Sequence, residues 1–195
     1  MESSPDIFKI KHNNIQPKQG LVLVSEPFAP DSIFSRSVVL LAEHNDQGTV
    51  GFILNKPVNK KLSQLSEEFG NLDIKVSLGG PVGNNKIYYL HTYGEKIPGS
   101  IKIKGNLYWG GDFNILQVLI ESGTIDESKI RFFIGYSGWT ENQLDKEIKK
   151  DFWLVSDIDI ETVMNYDREI WNKVVSKLDK RYSIWQHFPE NPNLN

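Results

Sequence analysis

The chain has 195 residues, a formal net charge of −3 and no cysteine. That length suits one domain with one core. The slight acidity gives no electrostatic reason to expect nucleic acid or an anionic membrane as partner, and the missing thiols exclude disulfides, thiolate metal sites and a cysteine nucleophile.

Met1-Glu2-Ser3-Ser4-Pro5-Asp6 lacks the basic start and apolar core of a signal peptide. No apolar run approaches the roughly 18 residues of a membrane span. A cytoplasmic location is therefore expected. Residues 1–19 are polar and read as an arm, pinned by Ile7, Phe8 and Ile10. Gly20–Ser25 is β-branched and reads as a buried strand. A loop with Pro27, Pro30 and Asp31 separates it from a second strand, Ser37–Glu43. His44 to Gly48 is a five-residue turn with glycine, so Thr49–Leu54 returns as a hairpin partner. Asn55-Lys56-Pro57 ends it.

Leu62, Leu65 and Phe69 have helical spacing, with Gly70 as the stop. Lys75–Leu78 is a short strand closed by Gly79-Gly80-Pro81. The segment Gly80 to Lys86 lacks the Gly-Lys-Ser/Thr of a phosphate loop and reads as a turn. Lys86–Thr92 places Ile87, Tyr89 and His91 on one face of a strand, Tyr88 and Leu90 on the other. Ile101–Ile103 and Leu107–Trp109 pair around Gly105-Asn106. Asp112 is placed to cap a helix striped by Ile115, Leu116, Leu119 and Ile120 and ended by Gly123.

Arg131–Tyr136 is bulky and bounded by glycine, the composition of a buried strand. Thr140 and Gln143 have the spacing of a capping box. The expectation is a sharp turn at Tyr136-Ser137-Gly138-Trp139 and a helix over Glu141–Lys150. Free N–H groups there would offer an anion a seat beside Ser137. Phe152–Val155 is a last strand. A turn near Glu161–Met164 precedes a helix over Arg168–Lys180, with Ile170, Trp171, Val174, Val175 and Leu178 on its apolar face. Strands dominate the first half and helices are scattered, which argues for an α+β domain with a twisted mixed sheet.

Taken together, the glycine-punctuated segments resemble the AlgH/YqgE family of bacterial proteins. The matching pieces are Phe34 to Leu41, Glu43-His44-Asn45, Gly48 to Gly51, Asn55-Lys56-Pro57, Gly79 to Val82, Leu90-His91, Gly110-Gly111-Asp112, and Arg131 through Trp139 followed by Gln143-Leu144. They occur in the family's order over residues 20 to about 180. Thr49 stands where alanine is usual, and Glu141-Asn142 replaces a Gly-Pro type of helix approach. The resemblance implies a twisted, barrel-like mixed β-sheet packed by several helices. It brings no assigned activity, and the family's label as transcriptional regulators comes from a link to alginate control. The expected organisation is an arm over 1–19, one AlgH/YqgE-like domain over 20–182 and an extended tail over 183–195.

The candidate ligand-binding residues are Arg36, His44, Asn55, Asp112, Ser137 and Gly138, converging in a polar cleft at strand ends. The bland reading of each is local: glycines for close packing, Arg36 and Asn55 on buried carbonyls. A hydrolase would pair Ser37 or Ser137 with His44 or His91 and Asp112, but Gly138 directly after Ser137 misses the nucleophile-elbow spacing. A metal site would gather Glu43, His44, His91 and Asp112, yet no histidine pair has i, i+4 spacing. DNA binding would use Lys173, Lys177, Lys180 and Arg181, which Asp167, Glu169 and Asp179 dilute. Trp153, Trp185 and Phe188 are core aromatics or a docking surface. The sequence reading is thus a non-enzymatic binding or regulatory domain, without cofactor, metal or catalytic residues. Its expected partners are a small anionic ligand, another protein or a second copy of the chain. A DNA-binding regulator and a weak hydrolase are the alternatives.

Overall fold

The computed structural model describes residues 10–189, except 12, 30, 32, 66 and 70–72. The expectations for Ile7, Phe8, Pro30, the stop at Gly70 and the chain end past 189 lie outside the described residues.

The strands in chain order are β1 (Val22–Val24), β2 (Val38–Asn45), β3 (Gly48–Ile53), β4 (Pro57–Lys61), β5 (Lys75–Leu78), β6 (Val82–His91), β7 (Ile101–Lys104), β8 (Leu107–Trp109), β9 (Ile130–Thr140) and β10 (Leu154–Ser156). The α-helices are α1 (Phe113–Glu121), α2 (Gln143–Lys149), α3 (Ile160–Met164) and α4 (Ile170–Val175), and a 3-10 helix follows at Lys180–His187. One curled sheet runs β10-β1-β2-β3-β9-β6-β8-β7, with β5 beside β9 and β4 beside β5. The pairing of β5 with β9 is parallel and the others are antiparallel. The fold is α+β, with a twisted, barrel-like mixed sheet packed by helices.

Both faces of the sheet are covered, so β2 reads as a continuous apolar run rather than an alternation. Val38, Leu40 and Ala42 join a core with Trp171, Val174 and Trp185 that spans both halves of the sheet. Val39 and Leu41 face the other way, onto Trp139, Leu144 and Trp153 beneath α2. A third core gathers Tyr89, Phe132 and Leu116 beneath α1. The face alternation expected for Tyr88 and Leu90 against Ile87 and Tyr89 holds. Ile10 and Trp185 are both buried, so the chain on either side of the sheet packs into the body.

Several sequence-based boundaries are corrected. The segment Lys61–Phe69 is two short 3-10 turns, Leu62–Gln64 and Glu67–Phe69, and an unforeseen β4 precedes them. The Leu62 N–H bonds to Ile74 O at 2.9 Å, and Leu62, Phe69 and Ile74 share one buried cluster, so the segment is held against the approach to β5. The β2–β3 loop is only Asp46-Gln47. Residues 82–86 are strand, not turn, with a register shift between Val82 and Ile87 where β6 meets β9. The helix expected over Arg168–Lys180 stops at Val175, and Asp179 caps the following 3-10 helix by accepting from Arg181 N.

The largest correction concerns β9. It does not turn at Tyr136 but runs on to Thr140, and α2 begins at Gln143. Gly135 (φ 64) bends the strand without ending it. The reason is a crossing: β5 lies on one edge of β9 and β6 on the other, so Gly79-Gly80-Pro81 must pass over β9. A side chain at Gly135 would lie 2.7 Å from both Gly80 O and Val82 O, and one at Gly79 would strike Gly135 O. Beyond the crossing β9 gains β3 as neighbour, pairing Ser137 with Gly51 and Gly138 with Val50. Arg131, fully buried, ties this strand to its surroundings. It donates to Val163 O at 2.5 Å, to Ser77 Oγ at 3.2 Å and to Leu54 O, and burial pushes its guanidinium down to about 10.

Candidate functional site

The six candidate residues do not share one cleft. Arg36 and Asn55 come together. Asn55 Nδ2 donates to Arg36 O at 2.6 Å, and its Oδ1 accepts from Val38 N at 2.9 Å. Arg36 has φ 50, stacks its guanidinium 5.0 Å from the centre of the Trp171 ring, and donates to Phe188 O and to Pro189 O at 3.1 Å. Lys56 Nζ donates to Ser35 O at 2.7 Å. The Arg36 and Lys56 cations are thus bound to backbone carbonyls. Ser137 is buried in the β9 ladder, not at a helix start, and its Oγ donates to Gly79 O at 3.1 Å. His44 Nδ1 lies 2.7 Å from Thr49 Oγ1 at the far end of β2. Asp112 caps α1, accepting from Asn114 N at 2.9 Å and Ile115 N at 3.3 Å.

The hydrolase and metal groupings also come apart. His91 pairs with Ile130, seven residues from Ser137 along β9, which places them roughly 20 Å apart. The His91 ring is buried and stacked on Tyr108, and that burial holds it below the ordinary imidazole value. Its Nδ1 accepts from Tyr93 N at 3.3 Å, which leaves the proton on Nε2, facing Ser100 Oγ at 2.9 Å and Gly110 O at 3.2 Å. Such a tautomer cannot take a proton from Ser100. Among the described residues no three His, Asp or Glu side chains group as metal ligands.

Of the residues that do converge, only Gly138, as a ligand-binding candidate, and Trp153, as a core or docking aromatic, carry an expectation of function from the sequence. A hollow of about 370 Å³ opens between the β1–β2 loop, the end of β9, α2 and the approach to β10. Ser25, Glu26, Asp31 and Phe34 line one side; Pro81, Gly138 and Trp139 form another; Gln143, Glu147, Phe152 and Trp153 close it. Glu147 organises the wall. Its Oε2 accepts from Trp139 Nε1 at 2.8 Å and from Trp153 Nε1 at 2.9 Å, while Oε1 accepts from Gln143 Nε2 at 2.9 Å. The two indoles meet edge to face at 6.1 Å and 79°, and Trp153 meets Phe34 at 5.4 Å and 83°.

Local sequence explains the arrangement. Gln143 and Glu147 are one helical turn apart, so both face Trp139 as it leaves β9. Asp151, at φ 62, reverses the chain after α2 and returns Trp153 over Glu147. Glu26 sits half-buried at the end of β1, and burial raises its carboxyl above the usual value. The signal in the sequence was Trp139, Gln143 and Glu147 at steps of four, with Trp153 just past the helix.

A curled α+β half-barrel with an aromatic-walled hollow at its strand ends sets the class of domain. The chain belongs to the AlgH-like family: the model described as DUF179, AlgH-like, matches residues 22–183. It is 43% identical to a UPF0301 protein of Bacteroides fragilis, covering all of both chains, and 43% identical to one of Parabacteroides distasonis over the same full extent. Its fold is similar to the solution structure of AlgH from Pseudomonas aeruginosa, with TM-score 0.67 and 26% identity over 89% of each chain. It is also similar to protein DIP2367 from Corynebacterium diphtheriae, with TM-score 0.71 and 19% identity over 92% of this chain and 95% of that one. No helix among the described residues is long and apolar enough to cross a membrane.

Proposed function

We propose that this protein is a cytoplasmic, non-catalytic binding domain, and that its ligand occupies the hollow walled by Trp139, Trp153 and Glu147. The observation that carries the reading is pre-organisation. One carboxylate fixes two tryptophans at right angles around a concave space of about 370 Å³, within the roughly 300–1,000 Å³ range of small-molecule sites. Rigid walls lower the ordering cost of binding. The polar-cleft residues named from sequence serve this reading indirectly, since Arg36 and Asn55 hold the loop that carries Phe34. Direct DNA binding has less support. On the late helical segment Lys173 pairs with Asp167 at 2.6 Å and Lys177 with Asp159 at 3.5 Å, which cancels much of the basic stripe.

The test is a compound screen on ¹⁵N-labelled protein that follows the indole N–H signals of Trp139 and Trp153, assigned by Trp→Phe substitution. Compounds that move these two signals together, with Trp109 and Trp185 unmoved, are the expected result. A chemically varied library that moves neither would overturn the proposal.

A further inference from the structure

The geometry points to a small organic cation, an alkylated ammonium, as the occupant of this hollow; the inference rests on the binding-site reading above and names the ligand's chemistry. Two independent features agree. The first is charge. Glu26, Asp31 and Glu147 line the space, and no Lys, Arg or His is among its described lining residues. Glu147 is held by neutral donors only, two indole N–H groups and one amide, so its hydrogen bonds are satisfied while its charge is not cancelled.

The second is the direction of the donors. Both indole N–H groups and one N–H of the Gln143 amide are spent on Glu147. An anion entering the hollow would meet ring carbon and carboxylate oxygen. A cation would meet the opposite: a lining of carboxylates and aromatic side chains, and aromatic rings attract positive charge, tryptophan most strongly. Phe34, edge-on to Trp153, extends the same surface. This reverses the anionic ligand expected from the sequence, because Arg36, the cation among the candidate residues, is bound to backbone carbonyls. The volume of about 370 Å³ is of the size that holds a small molecule.

The experiment titrates three probes at constant ionic strength into the full chain while following the Trp139 and Trp153 indole signals. Choline is the cation, 3,3-dimethylbutan-1-ol its uncharged isostere, and acetate the anion. Choline should shift both signals saturably. The isostere should bind about tenfold more weakly, the scale of a desolvated cation–π contact. In the Glu26→Gln/Asp31→Asn variant, which leaves the Glu147 clamp intact, choline should also bind several-fold more weakly. Equal binding of choline and its isostere, or unchanged choline affinity in that variant, would overturn the charge assignment and leave the pocket reading standing. Acetate shifting the signals while choline does not would do the same. A lysine-rich peptide that outcompetes choline would replace the small molecule with a protein partner. If no probe and no library compound moves either signal, both readings fall.

Discussion

Replacing Glu147 tests whether one carboxylate organises the aromatic wall. Trp139 and Trp153 are only 7% and 4% exposed, so water cannot readily replace the acceptor they share. In Glu147→Leu both indole N–H groups lose their partner. Each buried orphan donor costs about 1–3 kcal/mol, so the pair is worth about 2–6 kcal/mol, with the lower half favoured because a partly buried charge is removed as well. Glu147→Gln keeps one oxygen that can accept from both indoles, but turns an amide N–H₂ towards Gln143 Nε2. Gln143 cannot flip freely to accept it, because its Oε1 already takes the Thr140 N–H at 3.0 Å. The glutamine variant should therefore lose about 1–3 kcal/mol, from weaker neutral bonds and one donor–donor clash. Urea denaturation gives both differences, and each kcal/mol corresponds to about 2–4 °C in Tm for a chain of this size. The reasoning is refuted if Glu147→Leu lies within about 0.5 kcal/mol of the parent, the range of an ordinary surface change. It is refuted equally if the glutamine variant is less stable than the leucine one.

Three further outcomes are expected. Arg36→Gly should be more stable than Arg36→Ala by about 1 kcal/mol, because alanine at φ 50 keeps the backbone strain while both lose the clamp on residues 188 and 189. Amide exchange near Trp185–Phe188 should accelerate in both, which mass spectrometry reads directly. Asp112→Ala should cost about 0.5–2 kcal/mol through the lost α1 cap, and Asp112→Asn should restore most of it. The Asp159 carboxylate, held down to about 2 mainly by its bond with Thr162, contributes stability that is complete above its ordinary value of 3.8 and lost as pH falls towards 2. Asp159→Asn should flatten the acid limb of a Tm–pH profile between those limits and leave neutral pH little changed in slope.

What could be read from the sequence was what short range decides. The β6 alternation follows from the two-residue period of a strand. The Asp112 cap follows from a carboxylate set just before an apolar helical stripe. The α4 face is legible for the same reason, although the helix is shorter than its pattern. The failures share one cause, which is that a tertiary contact took over a local signal. Leu62, Leu65 and Phe69 carry a helical period, yet Leu62 and Phe69 pack with Ile74 beside β5 and the segment forms two short 3-10 turns. Gly135 and Gly138 look like strand terminators. One is required by a neighbouring segment passing overhead, and the other pairs normally with Val50. Composition cannot distinguish a glycine that ends a strand from one that lets another strand cross it.

That same crossing builds the hollow. Had β9 ended at Tyr136, Trp139 would belong to a loop with no fixed bearing on α2. Because Gly135 bends and the strand continues, Trp139 is fixed by its pairing with Thr49 and delivered to Glu147 as α2 begins. The strap Gly79-Gly80-Pro81 passes over Gly135 and Tyr136 and brings Pro81 into the lining with Gly138 and Trp139. A side chain at Gly79 would therefore lift the strap from β9 and carry Pro81 with it. The fold's least negotiable backbone contact and the proposed ligand wall are one piece of structure, and a change that relaxes the first must reshape the second.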